Sequence, residues 1–271
     1  MVVENLEIGK KLIDDDRDME AIPVLEQVIA NDNRNIEANL LLCTAFLALH
    51  NFEKTVQTAD KVLVLEPNNL DAQFAKTRAL GGLKQYQLAL TIIDPIISTN
   101  PANVLAIYSK GVLLADMGQN EVAIKLFDQA LEYDPTNIYP LVSKARILAL
   151  AGRTQEALML AEAAIRIKPQ SLLAQTIYCT CLAANRQLQQ ALEVANKTIA
   201  LSRTDPRGWA VRGAVYSEKG MIPASYLDWS KAGKLAPWNH ELQDIVKAVR
   251  KEMFQRSILG AFLAQIIDAF R

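Results

Sequence analysis

The chain has 271 residues, 51% of them hydrophobic and 22% charged, with only 11 Gly and 10 Pro, the balance of a folded helical protein rather than a disordered one. Twenty-nine basic residues against 30 acidic ones leave a formal net charge of -1, so no global field steers the molecule toward nucleic acid or an anionic membrane. Three cysteines suggest no disulfide framework, no stretch approaches the roughly 18 to 20 apolar residues that cross a bilayer, and the acidic start Met1–Glu7 lacks the apolar run of a secretory signal, so the expected location is cytoplasmic.

Along the chain, proline keeps a fixed stride. Pro67, Pro101, Pro135 and Pro169 stand 34 residues apart, and Pro237 lies two strides further on. A period of 34 has one common physical cause, a stack of helix-turn-helix units each too small to bury its own apolar face. In that frame the chain divides without insertion or deletion into seven units, 2–35, 36–69, 70–103, 104–137, 138–171, 172–205 and 206–239. Residues 240–271 form an extension of different composition.

Within each unit, two helices are predicted around a turn. The eighth place is small throughout, from Gly9 and Cys43 through Thr77, Gly111, Ala145 and Cys179 to Gly213. Bulky residues fill the eleventh, from Leu12 and Phe46 to Tyr216. The twentieth is again small, running Ala21, Thr55, Ala89, Ala123, Ala157, Ala191 and Ser225, and the twenty-first is bulky, from Ile22 to Tyr226. Small places facing large ones at helical spacing are what interdigitated helices require. Between them the fifteenth place holds Gly118, Gly152 and Gly220 in three units, suited to a left-handed helix end, but Asp16, His50, Lys84 and Arg186 in the others. Second helices stop near a proline or polar cluster such as Glu66-Pro67-Asn68-Asn69.

These places resemble the tetratricopeptide repeat family, whose profile puts Trp, Leu, Gly, Tyr, Ala, Phe, Ala and Pro at places 4, 7, 8, 11, 20, 24, 27 and 32. The seventh unit matches through Trp209, Gly213, Tyr216, Trp229, Ala232 and Pro237, and the fourth through Gly111, Ala123, Phe127, Ala130 and Pro135. The first and sixth depart, with Asn33 and Arg203 in the proline place. The resemblance implies an all-α, right-handed superhelical solenoid of antiparallel helix pairs, with the C-terminal extension as capping helices. It also implies that places 2, 5, 6, 9, 12 and 13 of each first helix line a concave groove for a protein partner.

Those places supply Leu40, Leu41, Thr44 and Leu47, then Phe74 and Arg78. The fourth unit adds Leu105, Tyr108, Ser109 and Val112, the fifth Tyr139, Val142 and Arg146, and the sixth Leu173, Thr176, Ile177 and Thr180. An aliphatic lining with two tyrosines and two arginines points to an apolar peptide or helix as ligand, because Tyr and Arg often dominate binding energy when enclosed. The family's clamp for acidic chaperone tails needs Lys and Asn at places 5 and 9. The pairs here, from Leu6/Lys10 to Val142/Arg146, do not fit, so that partner is excluded. Lys76, Lys110 and Lys144 share the seventh place, beside the third, fourth and eleventh, and are expected to pack their stems toward the paired second helix with the ammonium at its edge.

No chemistry-bearing motif competes with this reading. Cys179 and Cys181, two apart on a helix, point about 200° from one another and cannot share one metal ion. His50 and His240 lack a second ligand at useful spacing, and the chain has no Gly-rich phosphate loop or nucleophile elbow. Neither a catalytic centre nor a cofactor or metal is expected.

In the extension, Leu242, Ile245, Val246, Val249 and Met253 recur at helical spacing, suited to covering the last unit. Ser257 is placed to cap a final helix carrying Ile258, Leu259, Phe262, Leu263, Ile266, Ile267 and Phe270 on one half of its circumference, with Gly260, Ala261, Ala264 and Asp268 opposite. Fourteen residues reach about 21 Å, short of a ~30 Å hydrocarbon core. Three fates are open: folding back, pairing with a second chain as a homodimer, or meeting a membrane or foreign partner. A membrane is disfavoured because the polar face lacks lysine.

Overall fold

The structure is a computed structural model that describes the backbone of residues 2–15 and 17–269 and the side chains of 3–15 and 17–255. Fifteen α-helices, and no strand among the described residues, make it all-α. The chain forms two compact units, residues 1–135 and 136–271. In the first, α1 (Val2–Asp14) pairs with α2 (Asp18–Asn31), α3 (Ile36–Ala48) with α4 (Phe52–Leu65), α5 (Leu70–Gly82) with α6 (Tyr86–Thr99), and α7 (Val104–Asp116) with α8 (Asn120–Tyr133). In the second, α9 (Ile138–Leu150) pairs with α10 (Thr154–Ile167), α11 (Leu172–Ala184) with α12 (Leu188–Leu201), and α13 (Pro206–Glu218) with α14 (Ile222–Leu235), against which lies α15 (His240–Ala269).

Polar residues before the first helices start them. Asn35, Asn69, Asn103, Asn137, Ser171 and Asp205 each accept a hydrogen bond from a backbone N–H in the first turn of the helix that follows. The turn inside the second to the seventh pair is a left-handed cap. The N–H of Gln119 donates to the Leu114 carbonyl at 2.8 Å and that of Gly118 to Ala115 at 2.9 Å, the bonding of a Schellman end. Gly118, Gly152 and Gly220 take φ of 81°, 78° and 71° there, while His50, Lys84 and Arg186 are held at 54°, 59° and 62°. A side chain in that region is strained by about 1 kcal/mol or more, against a smaller entropy penalty for glycine. Lys84→Gly should therefore raise the unfolding free energy by about 0.5–1 kcal/mol in a urea titration.

Packing within a pair follows size. Ala21, Thr55, Ala89, Ala123, Ala157, Ala191 and Ser225, one per pair, are all fully buried at the crossing. A methyl added at Gly9 would lie 2.5 Å from Leu25, one at Gly111 2.6 Å from Phe127, and one at Gly213 3.1 Å from Trp229, so a small residue on each first helix receives a large one from the second. Cys43 and Cys179 hold the same place, their thiols 3.8 Å from the Thr55 carbonyl and 3.2 Å from that of Ala191.

Within each unit the first helices also touch one another: α1, α3, α5 and α7 in sequence in the first unit, and α9, α11 and α13 in the second. The second helices pack on first helices, not on each other, among the described residues. A stack joined more closely along one row than the other curves toward the joined row, so the first helices form the inner face of each unit.

The extension corrects one expectation. Ser257 does not start a helix; it lies inside α15, which runs unbroken over 30 residues. Leu242 and Val249 are buried, and Gln243 Nε2 donates to the Gly233 carbonyl at 2.9 Å, fixing the first half of α15 on α14. The side chains of Ile258, Leu259, Phe262, Leu263, Ile266, Ile267 and Phe270 lie outside the described residues.

Candidate functional site

On the inner face of the first unit, α3, α5 and α7 enclose an open cavity of about 360 Å³. Leu40, Leu41, Thr44 and Leu47 of α3 form one wall, Phe74, Ala75 and Arg78 of α5 the floor, and Leu105 and Ser109 of α7 the other wall. Leu105 is 51% exposed, but the large apolar residues of α3 and α5 are anchored from behind. Leu40 and Leu47 rest on Cys43, Ala59 and Val62, Leu41 on Leu25 and Phe46, and Phe74 on Ile93 and Ile96. Each is half-buried, so one side holds the repeats together while the other is free to meet a ligand. That division makes the floor rigid, which lowers the ordering entropy of binding.

Charge sits at two edges. Glu37 and Asp71, near the starts of α3 and α5, mark one edge, and Arg78, seven residues after Asp71, the other. Glu37 and Asp71 also favour their helix N-termini, and an exposed 3.5 Å contact to Lys10 takes up part of Glu37. Neither Asp71 nor Arg78 has an ion-pair partner among the described residues. The second place of the frame turns both acids inward, but the apolar and cationic pattern of the other groove places does not mark them.

Leu40, Leu41, Thr44, Phe74 and Arg78 are thus brought together in one cavity. On α7, Tyr108 and Val112 are half-buried, the Tyr108 ring 5.8 Å from that of Phe127. In the second unit Tyr139 is 51% exposed, Arg146 is exposed, and Thr176 is half-buried with its hydroxyl donating to the Leu172 carbonyl at 2.7 Å. Val142 is corrected: it is 2% exposed and shares the buried arc of α9 with Ile138, Leu141 and Ala145, so it lines no open surface.

A larger cleft of about 750 Å³ lies between α4, α5 and α6, lined by Leu63, Leu70, Ile92 and Pro95 among others. Most of its polar groups are already engaged within the fold. Gln73 Nε2 donates to the Pro67 carbonyl at 2.9 Å, Asn103 caps α7, and the Thr91 and Thr99 hydroxyls donate to Leu88 and Pro95 carbonyls. With little left to recognise a ligand, size does not make it the better site.

The lysine row has partners that periodicity within one unit does not reveal. Lys76 reaches Asp60 on α4 at 2.6 Å and Lys110 reaches Asp94 on α6 at 2.8 Å. Each bridges to the second helix of the preceding pair, not of its own, correcting the expected direction. With their lysines 25% and 31% exposed, these pairs fix the stacking register more than they add stability.

Cys43, Cys179 and Cys181 are free and buried. Burial pushes the first two thiols up to about 12 and the third to about 11, from an ordinary value of 9.0. Thiols raised in this way stay protonated in the fold while the unfolded chain ionises, so stability is fully present below about pH 9 and declines as pH climbs toward 12. Urea midpoints should fall across that window, and by less in Cys43→Ala. Among the described residues, no three His, Cys, Asp or Glu side chains come together to hold a metal ion, and no helix is long and apolar enough to cross a membrane.

Two tetratricopeptide repeat profiles match the chain, over residues 108–171 and 148–215. No curated protein matches. Among solved structures, a tetratricopeptide repeat protein from Parabacteroides merdae aligns with a TM-score of 0.66 at 16% identity, over 92% of this chain and 98% of that one. The Cut9–Hcn1 hetero-tetramer of the APC/C aligns at 0.68 and 15% identity, over 86% of this chain and 47% of that one. At such identity the likeness speaks to fold. Repeats of this kind generally mediate protein–protein interaction on a scaffold that is generally non-catalytic. Residues 108–215 carry the profile matches, and helix pairs at the same 34-residue spacing continue on both sides of them, so the chain belongs to the tetratricopeptide repeat family.

Proposed function

We propose that this protein is a non-catalytic adaptor that holds an apolar peptide or amphipathic helix of another protein in the inner groove of α3, α5 and α7. The observation that carries the reading is the cavity itself, a rigid apolar floor left open between Arg78 at one edge and Asp71 at the other. A volume of about 360 Å³ falls within the range of ~300–1,000 Å³ usual for ligand sites. Phe74 and the leucines supply desolvated contact, and Arg78 pairs with a carboxylate or backbone carbonyl of the ligand. Tyr108 and Val112 extend that surface along α7, and Tyr139, Arg146 and Thr176 provide the inner surface of the second unit. Three free buried thiols suit a reducing, cytoplasmic setting.

Affinity capture from the source cell tests the groove. A Phe74→Ala/Arg78→Glu chain should lose its partner at least tenfold, about 1.4 kcal/mol, while far-UV circular dichroism stays unchanged. Unchanged capture by a folded double variant would move the site elsewhere. The second reading, a structural protein that assembles through its C-terminal segment, is favoured by the length of α15, 30 residues against 14 in α14.

A further inference from the structure

Resting on the groove reading, we propose that the occupant is an amphipathic helix of a partner protein that lies along α5 and carries two opposite charges seven residues apart, an acid for Arg78 and a base for Asp71. The charges left open on the inner face define this ligand.

On that face the ninth place of one unit can reach the second place of the next. Lys10 and Glu37 stand in those places and meet at 3.5 Å. One step along, Asp71 has Thr44 in the matching place, so the acid lacks a base. At the step after that, Arg78 has Leu105, so the base lacks an acid. Neither charge has another ion-pair partner among the described residues, and both residues are exposed beside an apolar floor. A ligand that covers such charges without matching them loses their hydration, whereas one that supplies the opposite signs is selected.

Spacing on α5 sets the form of the ligand. Asp71, Phe74, Ala75 and Arg78 fall at i, i+3, i+4 and i+7, one stripe of the helix with its two charges about 10.5 Å apart. A helix laid along the stripe repeats that spacing. Its apolar residues at the third and fourth positions meet Phe74 between Leu40, Leu41 and Leu105, and its charged residues stand over Asp71 and Arg78. Glu37 adds to the acidic edge, since an exposed contact to Lys10 takes up only part of its charge.

An extended segment fits this lining less well. Its amides would be covered by leucines and Phe74, while the Thr44 and Ser109 hydroxyls already donate to the Leu40 and Leu105 carbonyls of their own helices at 3.2 and 2.7 Å. A helix bonds its own backbone and needs partners only for its side chains.

Selection from a displayed library tests this on the full-length chain. The library holds helices of about 15 residues with one face randomised. Enriched sequences should carry an acidic and a basic residue seven apart, with apolar residues at the third and fourth positions between them. The synthesised peptide should gain helical circular dichroism on binding and should bind Phe74→Ala at least tenfold more weakly. A version with Glu at both charged positions should bind the wild type at least tenfold more weakly, and Asp71→Lys should restore it. Arg78→Glu should do the same for a version with Lys at both. Circular dichroism of each variant confirms folding before its result counts. Failure of both charge changes to restore binding would overturn the proposal, as would a peptide that binds without becoming helical. Binders that carry no charge pair but are lost on Phe74→Ala would leave the groove reading standing and remove only the paired charges. Binders indifferent to Phe74→Ala, or none at all, would overturn the proposal, and capture by the Phe74→Ala/Arg78→Glu chain then decides the groove reading by itself.

Discussion

Phe127→Ala should lower the unfolding free energy by about 3–5 kcal/mol, because it empties a fully buried aromatic site in the fourth helix pair. The ring is held on two sides by α7. It covers Gly111, where an added methyl would approach to 2.6 Å, and it supports the Tyr108 ring at 5.8 Å. Neither neighbour can collapse into the space, since Gly111 has no side chain and Tyr108 lies on the inner surface. In a protein stabilised by about 5–15 kcal/mol the loss is large, and in a repeat stack it falls first on the pairing of α7 with α8 inside one unit. Urea unfolding followed by circular dichroism checks it, with a broadened or split transition as the mark of local uncoupling. The companion is a sign change. Gly111→Ala alone overpacks the ring and destabilises, but in the Phe127→Ala background its methyl finds room and removes a mid-helix glycine worth about 1 kcal/mol. A loss under about 1 kcal/mol for Phe127→Ala would mean that α7 and α8 are not packed through this ring.

What could be read from the chain depended on whether its cause was local. The all-α repeat, the small residue at Gly111 and the fully buried Ala123 all follow from contacts within one hairpin, where a spacing of 34 states directly what faces what. The left-handed turns were also visible, though His50, Lys84 and Arg186 reach them without glycine. Contacts between hairpins were harder. Lys76 and Lys110 show the same seventh place, but nothing in one unit's pattern says that Asp60 and Asp94 lie a unit earlier. Val142 occupies a groove place and is nonetheless buried, since register gives the direction of a side chain but not what else packs there. Ser257 reads as a cap, yet the apolar spacing on either side of it is continuous and α15 passes through. Glu37 and Asp71 stand in the frame, yet the sequence does not single them out, because acids in a first turn have a sufficient local reason to be there.

The second large effect is expected at the end of the repeats, where Arg212→Met should destabilise by about 3–5 kcal/mol. Arg212 grips Asp228 with both arms of its guanidinium, Nε to Oδ2 at 2.7 Å and Nη2 to Oδ1 at 2.9 Å. Its third nitrogen donates to Asn196 Oδ1 on α12 at 2.7 Å, and its head lies 5.1 Å from the Trp209 ring and 5.8 Å from that of Tyr216. The bond to Asp228 holds the guanidinium still further above its already high ordinary value, so it is charged at any working pH. The Asp228 side chain is only 7% exposed, so methionine, which replaces the stem but not the charge, strands a carboxylate with little water to solvate it. Much of the loss is therefore a penalty on Asp228 and not the net worth of the pair. Two further variants separate these contributions. Asp228→Asn in the Arg212→Met background removes the stranded charge and should recover more than half of the loss. Arg212→Lys keeps the charge but not the planar fork, cannot reach Asp228 and Asn196 together, and should stay measurably below wild type. Because Asn196 belongs to the sixth helix pair and Arg212 to the seventh, the lysine variant should also loosen α13 from α12, seen as faster amide exchange in α13 and α14. If Arg212→Met cost less than about 1 kcal/mol, Asp228 would have to be solvated in the fold, and the fork would be a surface contact of the ordinary weak kind.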